Sequence, residues 1–322
     1  MKAASLVAAL AGLAIATAII AWFGASTVLH AVLSAGWRGF ALFTLCQVAL
    51  FLILGAAWQA LAPEIPYKNL VASRAVRDAA SNCLPFSHLG GLALGVRAAI
   101  LQNVPWARAA ATSTADVTAE FFAQIAYAIG ALAWLFWRVP ASPLARPIAL
   151  ALVPAVVVIA LFVLAQNGAG KLFAALGKRI AGDVGTSIDE GAASIDTEFT
   201  RVYAAQSRLA LSAAIHLLGW LGSGIATFVG FRALGAAISL PDAIAVEGLV
   251  DAAMIFAFLI PGQLGAQEAA FVAMGAAFGV PAPISLGLSL LRRGRDVAIG
   301  VPVLLIWQGA EAARLRREPA AK

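Results

Sequence analysis

Residues 39–62 read GFALFTLCQVALFLILGAAWQALA, without one charged side chain. About 20 such residues are enough to cross the roughly 30 Å hydrocarbon layer of a bilayer as one helix. Comparable runs stand at about 5–24, 112–137, 147–166, 209–231 and 284–308. Across the 322 residues, 62% are hydrophobic and 12% charged, and the mean hydropathy is +0.90. A soluble domain carries about 25% charged residues, so the chain reads as an all-α polytopic membrane protein. The first run follows Lys2 and ends at Gly24–Ala25–Ser26, as a signal peptide would. Its apolar core, however, is longer than the about 7–15 residues of a signal sequence.

Two further regions, 67–103 and 241–279, are apolar but broken near their centres. The first break holds Pro85, Gly90 and Gly91, and the second Pro261, Gly262 and Gly265. Proline removes a helical donor, and glycine admits backbone conformations other residues avoid. Each region is therefore expected to be two short helices meeting at a sharp break, a hairpin that is either re-entrant or fully crossing.

The two regions share a spacing. Pro66, Pro85 and Pro105 recur about 176 residues later as Pro241, Pro261 and Pro281, and Val104–Pro105 is matched by Val280–Pro281. The order span, span, hairpin, span then occurs twice, which predicts one membrane domain over 1–322 built of inverted halves, 1–138 and 147–310, with a basic tail at 311–322. Inverted halves with broken helices are a transporter plan whose binding site lies near the midplane.

The net charge of +6 could suggest nucleic acid, but in a membrane protein the placement of cations matters more than their sum. With each hairpin returning to its starting side, one face of the membrane receives Lys2, Lys68, Arg74, Arg77, Lys171, Lys178, Arg179, Arg201, Arg208, Arg314, Arg316, Arg317 and Lys322. The other receives Arg38, Arg138, Arg146 and Arg232, thirteen against four. Cations favour the cytoplasmic side, so both termini and 167–208 are expected there, in a bacterial inner membrane, and no nucleic-acid partner is expected. Within 167–208, Leu172, Phe173, Leu176 and Ile180, and then Ile195, Phe199 and Val202, recur at helical spacing. That pattern suits interfacial helices on an anionic leaflet, or a solvated linker with some helix.

Charges inside the membrane are costly and mark function by default. Asp116, Glu120 and Gln124 stand at i, i+4, i+8, near Tyr127, suited either to interhelical bonding or to transport. Residues 290–296 read LLRRGRD, placing Arg292, Arg293, Arg295 and Asp296 at mid-helix. Arg292 and Asp296 can pair at i, i+4, which leaves Arg293 and Arg295 to Asp116, Glu120 or a ligand's phosphate. Aligning the halves sets Asp116 against Arg292 and Glu120 against Asp296, so carboxylates of one half are expected to meet guanidiniums of the other. Arg97 follows the first break, as a site residue or one that snorkels to the interface. Gln263 and Glu268 adjoin the second break, and His88 adjoins the first. Glu247 and Asp251 form another i, i+4 carboxylate pair, suited to a watery vestibule, while His216 reads as a packing residue.

Catalytic signatures are missing. The sequence has no nucleotide-binding glycine loop, no H-E-x-x-H and no G-x-S-x-G. Cys46 and Cys83, and His30, His88 and His216, lie too far apart in sequence to suggest a disulfide framework or a zinc site. The expectation is a non-enzyme without cofactor or metal.

The stretch from Leu84 to Gly91, then Arg97 and 115–120 (ADVTAE), resembles one conserved block of a known family. Residues 260–268 (IPGQLGAQE), then Gly279–Val280–Pro281 and 289–296, resemble a second. Together they are similar to the lysylphosphatidylglycerol synthase transmembrane, flippase-like superfamily, most of all its hopanoid-associated HpnL branch. Gly90–Gly91 stands where the superfamily often has Gly–Glu, so an acidic role there is not implied. The superfamily's aminoacyl-transferase domain has no counterpart, so lysyl transfer is not implied either. The resemblance implies a lipid-handling module whose cargo is a membrane lipid or a hopanoid-like amphiphile. Three functions fit: a flippase, an accessory protein of hopanoid synthesis or lipid export working with other such proteins, and a lipid-headgroup enzyme.

Overall fold

The structure is a computed structural model that describes residues 25–84, 87–166, 188–255, 263 and 265–317. The span expected at 5–24, the break residues Pro85, Pro261 and Gly262, the stretch 167–187 and the last residues of the tail lie outside these. The described residues form helices with no strand among them. They are α1 (Ala25–Leu61), α2 (Tyr67–Cys83), α3 (Ser87–Leu101), α4 (Trp106–Arg138) and α5 (Ala145–Gln166), followed by α6 (Ile188–Ala204), α7 (Gln206–Ala233), α8 (Leu240–Met254), α9 (Ala266–Ala277) and α10 (Ala282–Arg317).

Four segments, Leu33–Leu61, Trp106–Arg138, Gln206–Ala233 and Ala282–Arg314, are long and apolar enough to cross a membrane. α1 is two helices joined at Gly36, whose backbone (φ 69°, ψ 161°) is closed to most residues. α5 leaves Leu150, Val153, Val157, Leu161 and Leu164 exposed, an outer face suited to lipid rather than water.

The prolines set the helix starts. Pro66 and Pro105 are the N-caps of α2 and α4, and Pro241 occupies the first turn of α8, which Ser239 caps by accepting from the Asp242 N–H. At 1.5 Å per residue, α2 is about 25 Å long, α3 and α8 about 22 Å and α9 about 18 Å, all short of the about 30 Å hydrocarbon layer.

The first break differs from the sequence reading. α2 ends at Leu84, in extended backbone, and α3 already runs through Gly90 and Gly91. Both glycines therefore lie within the helix and not in the turn, and Gly91 serves helix packing. A Cβ on Gly91 would lie 2.0 Å from Ser81 Oγ and 2.7 Å from the Arg77 carbonyl oxygen. At the second break, Gly265 (φ 78°) caps α9 and Gln263 also has positive φ, at 51°.

The two hairpins open toward opposite ends of the bundle. The mouth of α2–α3 lies beside the start of α4, where α6 packs, and beside the end of α10, where Arg314 donates to the Ile100 carbonyl. The mouth of α8–α9 lies at the other end, where Trp134 and Arg138 of α4 approach Asp242. Both tips stop midway. Cys83 Sγ, at the end of α2, is 3.5 Å from the Asp296 carbonyl in the middle of α10. The Asp251 carbonyl, near the end of α8, meets Gln124 in the middle of α4. Packing is reciprocal: α2 lies on α10 as α8 lies on α4, and α1 lies on α10 as α7 lies on α4.

α6 corrects another expectation. Ile195, Phe199 and Val202 are buried on α4 against Ala107, Ala111 and Ala115. Their apolar stripe is covered by protein rather than by a leaflet, and Arg108 fixes it through Glu198 at 3.1 Å.

Candidate functional site

Two buried charge clusters occupy mid-bundle depth. The first joins α2, α4 and α7. Arg74 and Arg77 are three residues apart and Asp116 and Glu120 four apart, spacings that put each pair on one helix face. Arg77 donates to Asp116 Oδ2 (2.8 Å) and Glu120 Oε2 (2.6 Å). Arg74 donates to Glu120 Oε1 (2.7 Å), Asp116 Oδ2 (3.2 Å) and Asp78 (2.9 Å). His216 Nε2 completes the set 2.9 Å from Asp116 Oδ1, and both residues are fully buried.

This arrangement overturns three expectations. Arg74 and Arg77, counted above among membrane-surface cations, are almost wholly buried. Burial is possible because each finds two or three carboxylates, which offset the cost of leaving water. Asp116 and Glu120 therefore pair with Arg74 and Arg77 of α2, and not with Arg292 or with Arg293 and Arg295. His216 is a polar partner rather than mere packing.

The second cluster joins α7, α8 and α10 with the signs reversed. Here the short hairpin helix carries the acids and the long helix the cation. Arg292 donates to Glu247 Oε1 at 2.6 Å, and its other terminal nitrogen is 3.7 Å from Asp251 Oδ1. Thr227 donates to Glu247 Oε2 at 2.6 Å. Glu247 and Asp251 are buried, not exposed to a vestibule. The expected helical pair of Arg292 with Asp296 gives way, because Asp296 is taken by Arg295 at 2.7 Å. Arg295 also lies over the Phe43 ring, 4.7 Å from its centre, and Arg292 lies 5.8 Å from that of Phe271.

Around them, Arg293 pairs with Glu268 at 2.6 Å and reaches the Gln263 carbonyl at 3.3 Å. Glu268 accepts from the Gly265 N–H as well, and Gln267 donates to Ser289. Arg97 pairs with Glu311 of α10. His88 falls in the first turn of α3, and its side chain lies outside what is described. Arg74, Arg77, Asp78, His216, Thr227, Glu247 and Asp251 are the cluster members that sequence reasoning left out of the site. For Glu247 and Asp251 the signal was present, since carboxylates four apart on a mostly apolar hairpin arm define a polar face, whereas α2 also carries Lys68, Asn69, Asp78 and Asn82.

Asp116, Glu120 and His216 bring one ligand atom each within 4.8 Å of one another, spacing that could hold a metal ion. The same two carboxylates already accept from two guanidiniums, so the electrostatics oppose a further cation there. The arrangement instead holds helix to helix through buried charge contacts.

The family model described as lysylphosphatidylglycerol synthase TM region matches residues 9–303. No curated protein matches the chain, and no solved structure matches it.

Proposed function

Because the chain belongs to the lysylphosphatidylglycerol synthase TM-region family, we propose that it is a flippase-like protein moving a lipid, with hopanoids or an associated amphiphile as cargo. The observation that carries this reading is the pair of oppositely signed clusters, each fastening a short hairpin arm to a long helix. Hairpins that stop midway leave backbone polar groups inside the membrane, tolerated only within protein or along a wet cavity. The hairpins act as re-entrant elements of two inverted halves, 1–138 and 147–310. Charges at that depth mark a path for a polar headgroup. Both termini lie in the cytoplasm of a bacterial cell, with the protein in its inner membrane.

The test is reconstitution into sealed vesicles containing headgroup-labelled phospholipids or a labelled hopanoid, followed by chemical quenching from outside. Faster loss of protected signal than in protein-free vesicles supports translocation, and equal rates for every lipid count against it.

A second reading, an accessory protein of lipid synthesis or export, is favoured by one observation. Arg74, Arg77, Arg97, Arg292, Arg293 and Arg295 each contact a carboxylate of the protein itself. Specific co-purification of a lipid-synthesis enzyme without any translocation would make that reading the better one.

A further inference from the structure

The second cluster does not balance its own charge. Glu247 and Asp251 bring two carboxylates to one face of α8, and Arg292 is the cation between them. The first cluster sets two guanidiniums, with His216 beside them, against Asp116, Glu120 and Asp78, so each of its acids has a close donor.

The other groups facing the pair do not make up the difference. Arg295 of α10 is matched by Asp296 beside it, and Glu268 of α9 is taken by Arg293. The Tyr127 hydroxyl of α4 donates a hydrogen bond to the Ile244 carbonyl, and Gln124 donates to the backbone of Asp251, not to its carboxyl. Thr227 of α7 serves Glu247.

The two acids are also unequally served. Glu247 accepts two short bonds, at 2.6 Å each, from Arg292 and Thr227. Asp251 is 6% exposed, its Oδ1 is 3.7 Å from Arg292, and its Oδ2 is buried with no hydrogen-bond partner among the described residues. A buried carboxylate beside another, lacking donors, is the member of the pair that takes up a proton. A neutral carboxyl tolerates an unpartnered oxygen far better than a charged one does.

We propose that the Glu247–Asp251 pair is a single-proton site, with Glu247 ionised against Arg292 and the proton on Asp251. The ligand is a proton rather than a metal cation, because a guanidinium already stands between the two acids. The inference deepens the translocation reading and rests on it only for its use: a proton bound here would couple lipid movement to a proton gradient. The existence of the site can be tested without transport.

Infrared spectroscopy of the purified protein in lipid at neutral pH tests it. The parent is expected to show a protonated-carboxyl band that shifts in deuterium oxide. Asp251→Asn removes the acid and is expected to lose the band. Glu247→Gln is expected to lose it as well, because Arg292 is then free to pair with an ionised Asp251. No such band in the parent, or a band of full strength in either variant, would overturn the proposal. If Asp251→Asn fails to fold, the parent spectrum and Glu247→Gln decide. Loss of the parent band on adding sodium at constant pH would make sodium the ligand, and would overturn the proton assignment too. Vesicle translocation failing while the band behaves as expected would sink the flippase reading and leave the proton site standing.

Discussion

His216 Nε2 lies 2.9 Å from Asp116 Oδ1, and both side chains are wholly buried. The contact ties α7 to α4 at the same carboxylate that Arg74 and Arg77 hold from α2. One aspartate thus joins three helices, and its other oxygen is already shared between two guanidiniums.

Removing a member of this group strands the rest. Asp116→Ala is expected to destabilise the protein by about 3–5 kcal/mol, the cost of breaking a buried pair from one side. His216→Ala, which removes one neutral or charged hydrogen bond, is expected to cost about 1–3 kcal/mol. Thermal unfolding of both variants in one detergent measures the order. A tolerant Asp116→Ala would contradict the central place of that carboxylate.

The two adjacent glycines of α3 are expected to behave oppositely. A methyl at Gly91 meets Ser81 and the Arg77 carbonyl, so Gly91→Ala overpacks the hairpin and costs about 1–3 kcal/mol. A methyl at Gly90 meets nothing within 4 Å among the described residues, and helix propensity then favours Gly90→Ala by about 0.5–1 kcal/mol. Unfolding temperatures falling for the first and holding or rising for the second would bear this out.

Arg97 and Glu311 join hairpin and terminal helix across a long sequence separation. Each single alanine variant is expected to weaken the fold, and the double variant to lose less than the sum. The coupling should be about 0.5–3 kcal/mol for residues in direct contact. Strict additivity would mean that the pair contributes nothing.

Threading makes a further expectation. Single cysteines at Ala193 and Ala313, both exposed at the mouth of the first hairpin, should label from the same side of the membrane in a background lacking Cys46 and Cys83. A cysteine at Ala141, in the turn after α4, should label from the other side. Labelling of Ala193 and Ala141 from one side would break the arrangement.

The long helices, the two hairpins and their proline starts were legible because each follows from local rules. Charge-free length marks a span, and Pro66, Pro105 and Pro241 fix where helices begin. The choice of ion-pair partners was not. Arg74 and Arg77 sit on a helix that also carries Lys68 and Asp78, so counting cations by loop placed them at the membrane surface. Only the tertiary approach of α2 to α4 turns them inward. Asp116 and Arg292 do not face each other: Asp116 meets the hairpin arm α2, and Arg292 meets the hairpin arm α8. Gly91 misled for a related reason: a close helix crossing and a helix break both call for glycine, and sequence alone does not separate them.

Translocation by charge-altered protein tests the central claim most directly. Sealed vesicles carrying the parent, Arg292→Ala, Glu247→Ala or the double exchange of Glu247→Arg with Arg292→Glu would be compared for leaflet movement of labelled lipid, after each is shown to be folded. The account expects the parent to move lipid faster than empty vesicles, both single variants to lose most of that rate, and the exchange to recover part of it. Parent and single variants moving lipid equally fast, or none exceeding empty vesicles, would contradict it.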